Sequence, residues 1–252
     1  PGWFFGIFLI LIFAALWVAA ALVPTFAGGL LFSWTADLIA IVALLGTARF
    51  FLALAGLDVG TSFGGIGSSR EMMIASLAEP AMLMMVFTLS LLAGTTELSS
   101  VARFMLTAEV GLRVSLGLAL LALVIVAIAE NARIPVDNPA THLELTMVHE
   151  AMILENSATN LALAELTHFV KIVVLLGIAS QCFLHSLPWV WHTSEITSAL
   201  ASIGGVFFMA AFIAVIESVA VKLRWTKLPE FIAYSVAMSI FCVLIALSRS
   251  TN

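Results

Sequence analysis

Seven acidic residues, Asp37, Glu71, Glu79, Glu109, Glu130, Glu165 and Glu217, lie in or at the edges of long apolar stretches, with Arg49, His168 and Lys171 among them. A charge at the centre of a bilayer costs about 2.5–3.5 kcal/mol on the insertion scale, so such residues persist where they pair, line water or move ions. Burial and like-charge neighbours push carboxylic acids toward neutral titration in general, which is the property a proton relay uses. The plainer alternative is a static ion pair or an interfacial charge, and it suits Asp37 and Glu109 best, at the outer edges of their stretches. Counted by depth, Glu71, Glu130, Glu165 and Glu217 fall near one end of four different helices, with Glu79 about two turns deeper and Arg49 as its natural partner. Glu165 and His168 are three apart and share a helical face. The set predicts a buried hydrophilic funnel in one leaflet.

A second group lies in the polar segment 131–159, which holds Arg133, Asp137, His142, Glu144, His149, Glu150 and Glu155. Asn138 followed by Pro139 is a good helix start, because Asn caps free N–H groups and Pro suits the first turn. The helix expected over 139–155 puts Glu144 and Glu155 on one stripe and His142 and His149 on another. Leu145, Val148 and Met152 form an apolar seam between them. It is too short and polar to span, and predicts a helix lying on the membrane surface or against a partner. A single metal ion does not suit His142, His149 and Glu150: histidines seven apart are separated by about 10 Å along a helix axis. These residues read instead as interface or proton-path candidates.

The elements that carry these groups follow from composition. Of 252 residues, 62% are hydrophobic and 10% charged, with net charge −5 and mean hydropathy +1.16. Soluble domains carry roughly 25% charged residues, so lipid must be the solvent for most of this chain, and no nucleic-acid surface is indicated. The apolar runs are continuous rather than alternating, which selects helices over a barrel. Seven runs are long enough to cross: 3–23, 35–57, 71–93, 109–129, 161–184, 199–221 and 229–248. The predicted fold is all-α: a single transmembrane domain over 1–252, interrupted by the acidic loop 131–159. Arg70, Arg133, Lys222, Arg224 and Lys227 gather on one side, which the positive-inside rule makes cytosolic. Cys182 and Cys242 sit in apolar runs without metal-site spacing, so no redox centre is expected on this chain. The chain opens at Pro1 straight into the first run, a pattern expected where a further segment precedes it.

Two stretches carry a resemblance. Glu130-Asn131-Ala132-Arg133-Ile134-Pro135-Val136-Asp137, with Glu144 and Glu155, resembles the loop of the respiratory complex I membrane subunit that bounds the quinone cavity. IPVDNPATHLELTMVHEAMILE and the loop GLDVGTSFGGIGSSREMMIASLAEP look closer to the matching membrane subunits of membrane-bound [NiFe] hydrogenases, of the hydrogenase-4 and formate hydrogenlyase type. The resemblance implies an eight-helix fold of which seven helices are visible, a prokaryotic cytoplasmic membrane, and docking of hydrogenase-type large and small subunits. It also implies side contact with antiporter-like subunits. The NiFe centre and iron–sulfur clusters would then reside on partner chains. By motif position Glu130, Arg133, Asp137, Glu144, Glu155, Arg70, Glu71, Glu79 and Glu165 carry over as the coupling residues. The leading expectation is a proton- or ion-coupling subunit of an energy-converting hydrogenase. The alternatives are the equivalent subunit of a quinone-reducing complex, a secondary transporter, whose charges would gather at the midplane, and a purely structural anchor.

Overall fold

The computed structural model describes residues 3–23, 36–98, 100–101, 114–137, 148–153, 156–185 and 195–250. Glu144, Glu155, His142, Glu109 and the helix start at Asn138-Pro139 lie outside these residues. Eight α-helices are described: α1 Trp3–Leu22, α2 Leu38–Asp58, α3 Ser62–Ala93, α4 Val114–Glu130, α5 His149–Ile153, α6 Ala158–His185, α7 Glu195–Val219 and α8 Leu228–Ser250. Six of them, α1, α2, α3, α6, α7 and α8, are long and apolar enough to cross a membrane, and α4 supplies a shorter apolar helix over Gly117–Glu130. The protein is therefore a multi-pass membrane protein. The only β-pairing among the described residues is an isolated antiparallel bridge between Asp37 and Glu97.

The long helices run up and down, so the ends of α2, α4 and α7 and the starts of α3, α6 and α8 share one end of the bundle. That end carries the acidic loop. α1 packs on α2 and α6, α2 on α3, α3 and α4 on α8, and α6 on α7. The interior is filled by Leu9, Leu16, Leu45, Ile74, Leu123, Leu175 and Ile232, all essentially without exposure. α7 lies at the periphery, with only 17% of its spanning window buried and Phe207, Phe208, Val215 and Val219 exposed.

Local chemistry fixes both ends. At the far end Asp37 caps α2: its carboxylate accepts from the Ile39 N–H at 2.7 Å and from the Thr96 hydroxyl at 2.9 Å. A side-chain oxygen there satisfies one of the free donors of the first turn, so Asp37 holds a structural post. At the loop end α2 and α3 come together through small residues. A side chain at Gly64 would overlap the Gly56 carbonyl oxygen, and the Ser68 hydroxyl donates to the Ala53 carbonyl at 2.9 Å. Only glycine allows two helix backbones this close.

The sequence places the third span at 71–93, yet α3 begins nine residues earlier, at Ser62, capped by the Thr61 hydroxyl. The glycine-rich stretch from Gly60 to Gly67 reads as a turn in the sequence, but α2 on one side and α5 on the other shelter most of it as helix. This shift resets every depth on α3.

Candidate functional site

Because α3 starts at Ser62, Glu71 lies nine residues inside its helix, and Arg49 lies nine residues from the end of antiparallel α2. The two meet at the same level. The Arg49 Nε is 2.8 Å from Glu71 Oε1, and its Nη2 is 2.9 Å from Glu130 Oε2. Lys171 of α6 completes the chain, with its Nζ 3.0 Å from Glu130 Oε1. Glu71, Arg49, Glu130 and Lys171 thus alternate in sign across four helices, and all four are buried. The expected Arg49–Glu79 pair is not the one formed. Glu79 lies two turns further along α3, against Gly46 of α2, its Oε1 3.3 Å from where a Gly46 Cβ would stand.

Glu130 is the last residue of α4, and its main-chain carbonyl is one of the acceptors a helix leaves unpaired. The Lys171 ammonium donates to that oxygen at 2.7 Å and the Arg49 Nη2 at 3.2 Å. Two cations at a helix C-terminus also meet the negative end of the helix dipole. Beyond it the backbone reverses. Ala132 takes a left-handed conformation, φ 47°, and the Arg133 N–H donates to the Ile128 carbonyl at 3.0 Å. This is the Schellman closure, usually built on glycine.

The turn delivers Arg133 and Asp137 to two further contacts. Asp137 is buried; its Oδ1 lies 2.7 Å from the Lys222 Nζ and its Oδ2 accepts from the Val148 N–H at 3.0 Å. The Arg133 Nε reaches Glu217 of α7 at 3.8 Å, with both side chains partly exposed. The Leu223 N–H donates to the Pro135 carbonyl at 2.9 Å, so the segment after α7 is tied to the loop as well.

Of the helix expected over 139–155, the described residues show only α5, which begins at His149 after a bend at Val148 and departs from the expected surface position. It packs against α2 and α3, with Val148, Ala151, Met152 and Ile153 buried. The seam residues Val148 and Met152 fill a groove floored by glycine: a Cβ at Gly67 would stand 2.9 Å from Met152 Cγ and 3.0 Å from the Val148 carbonyl. His149, expected at an interface or in a proton path, turns inward to the cavity. Its ring stacks on His168 with centroids 4.6 Å apart, and its Nε2 is enclosed without a hydrogen-bond partner among the described residues. The apolar seam explains the difference, since burying Met152 and Ala151 rotates the neighbouring His149 toward α6. Burial holds the His149 imidazole below its usual pKa; the nearby Glu71, Glu165 and Asp137 carboxylates oppose the shift and Lys171 adds to it.

These groups line a small cavity. Arg49, Glu71, Glu130, Asn131, His149, Thr167, His168 and Lys171 face a space of about 30 Å³, closed on one side by Ile12 and Leu16 of α1. That volume holds a water or two and no organic ligand. The Arg49 Nη1 has no hydrogen-bond partner there among the described residues. The arrangement can stabilise waters between titratable groups and can redistribute a proton among them.

Of the residues singled out from sequence, Arg49, Glu71, Glu130, His149 and His168 come together at this cavity, and Asp137 and Glu165 stand beside it, facing His149. Glu79 is deeper, Glu217 with Arg133 sits at the rim, and Arg70 and Glu150 are half-buried outside it. Two functional cations have no role assigned by sequence reasoning, Lys171 and Lys222. Lys171 carries a signal, being a cation three residues from His168 inside an apolar run; Lys222 carries none beyond its sign.

Comparison with known proteins follows the same lines. The chain is 36% identical over 164 residues to the hydrogenase-4 component C of Escherichia coli K12, covering 64% of this chain and 48% of that protein. It is 28% identical over 188 residues to formate hydrogenlyase subunit 4 of the same organism, covering 75% of this chain and 59% of that one. The chain thus spans about half the length of these curated relatives. Its fold matches a chain of the membrane-bound sulfane sulfur reductase, an archaeal respiratory membrane complex, with a TM-score of 0.81 at 15% identity over 97% of this chain and 80% of the other. A sequence profile described as NADH dehydrogenase matches residues 2–247, and with essentially the whole chain inside that match, this protein belongs to the NADH dehydrogenase family of membrane subunits.

Proposed function

We propose that this chain is the ion-coupling and anchoring subunit of a membrane-bound, [NiFe]-hydrogenase-type complex of a prokaryotic cytoplasmic membrane. The carrying observation is the Glu71–Arg49–Glu130–Lys171 chain, buried among apolar helices and opening on a water-sized cavity. Removing four charges from water costs several kcal/mol per ion, and packed hydrophobic residues in their place are often as stable or more so. A chain that only anchored its partners would need none of this. The relatives are a hydrogenase-4 component and a formate hydrogenlyase subunit, which supports partner chains bearing the nickel–iron centre and iron–sulfur clusters, and antiporter-like subunits alongside.

In this reading the redox partners dock at the loop end, the cytosolic one by its excess of Lys and Arg. A change of charge on the partner is felt by the acidic loop, and Asp137 and α5 transmit it to the cavity. A proton placed on Glu71 or Glu130 frees Arg49 to shift toward the other carboxylate. Protons then pass inward toward Glu79. Glu144 and Glu155 belong to the loop's acidic side by their motif position. Glu130→Gln in the intact complex, reconstituted into vesicles, should leave hydrogen turnover in place and abolish the vesicle pH gradient. Full pumping by that variant returns the chain to an anchoring role.

A further inference from the structure

The structure assigns to His149 and His168 a one-proton relay between the acidic loop and the buried Arg49 network. The inference rests on the coupling role proposed above and adds the groups that load it.

Three observations carry it. The two rings stack with centroids 4.6 Å apart, one from the loop helix α5 and one from the membrane helix α6. Both line the cavity that holds Arg49, Glu71, Glu130 and Lys171. The His149 Nε2 is enclosed and has no hydrogen-bond partner among the described residues, so the water-sized space of the cavity is what it has to exchange a proton with.

Charge counting sets the capacity. Glu71, Arg49, Glu130 and Lys171 sum to zero, so the cavity is balanced while both imidazoles are neutral. Two imidazoliums in a stack this close would repel strongly in low dielectric, and the pair therefore takes up one proton and no more. The charged groups facing it are Glu71 from α3, Arg49 from α2, Glu130 from α4, Lys171 and Glu165 from α6, and Asp137 and Arg133 from the turn after α4. Protons arrive from the loop side, where Asp137 and Glu165 stand.

Geometry also selects the acceptor. Among the described residues Glu130 is gripped by two cations and Glu71 by Arg49 alone. A proton delivered through cavity water onto Glu71 disrupts one ion contact, whereas delivery onto Glu130 disrupts two. The proton leaves an imidazolium nitrogen, crosses water, and forms an O–H bond on Glu71; no oxidant or other reactant is needed.

The test uses the intact complex in vesicles, comparing His149→Phe, His168→Phe and the double variant with Glu130→Gln. Phenylalanine keeps an aromatic stack and removes the proton. Each single variant should slow vesicle pH-gradient formation roughly a hundredfold, the lower end of what a positioned proton-transfer group contributes. The double variant should be no worse than either single, because one proton is shared. His149→Gln, which keeps a polar group without titration, should match His149→Phe. Pumping retained by the Phe variants, or losses that multiply in the double variant, overturns the relay. If Glu130→Gln uncouples while the Phe variants pump, the relay alone fails; if none uncouples, the coupling role fails with it.

Discussion

Two ion-pair systems meet at the loop end of the bundle, and they differ in everything except residue type. The inner one, Glu71–Arg49–Glu130–Lys171, is buried with contacts of 2.8–3.0 Å. The outer one, Arg133–Glu217, spans 3.8 Å between partly exposed side chains, on the peripheral helix α7. The inner charges face room for no more than a water or two, so each depends on its partner. The outer pair has solvent on one side, and loses little when parted. Coupling can travel only where changing one charge compels another to respond, and that condition holds in the inner system alone.

The largest way to break this contrast is Arg49→Met. It leaves Glu71 without its cation and Glu130 with one, and stranding buried charges costs about 3–5 kcal/mol. The thermal midpoint of the detergent-solubilised protein should collapse, and Arg49→Met combined with Glu71→Gln should recover part of the loss. Next comes Gly67→Ala, which pushes a methyl into Met152 and the Val148 carbonyl. Overpacking of this kind costs about 1–3 kcal/mol, read as faster hydrogen exchange across residues 148–153.

A smaller, graded effect follows from pH. The His149 pKa is lower in the folded protein than the ordinary value of 6.5. Below that value the unseated α5 binds a proton more tightly than the seated form, so seating weakens as pH falls. The slope reaches up to about 1.4 kcal/mol per pH unit, with the full strength of seating present above pH 6.5. After correction for intrinsic rates, exchange over 148–153 should rise from neutral pH toward 5.5 and stay flat in His149→Phe. The smallest effect belongs to Glu217→Gln, under about 1 kcal/mol in a double-mutant cycle with Arg133. An equal coupling at both pairs would erase the distinction between them.

The spans were legible because apolar runs of about 20 residues leave a chain few other options. The resemblance of the 130–137 and 56–80 stretches pointed to the right family. Depth was legible for Glu130, at the end of α4, but not for Glu71, which lies nine residues inside α3 and meets Glu130 through a shared arginine. The partners were not. Helices that are apolar all round carry no stripe to say which face turns inward, so nothing local indicated that Arg49 looks at Glu71 rather than Glu79. The Gly56–Gly64 contact and the hidden first turns of α3 set that register, and both depend on α5, a non-local neighbour. The role of Lys171 is hidden for the same reason, since its partner is 41 residues away and includes a main-chain oxygen.

That main-chain oxygen has a consequence for dissection by mutagenesis. Arg49 and Lys171 both hold the terminal carbonyl of α4, which no substitution at position 130 removes. Exchanging the Glu130 carboxylate for an amide therefore leaves the two cations docked where they were. Position 130 is a place where charge can be edited while the scaffold stays in register, so a defect measured there speaks of proton traffic rather than of misassembly.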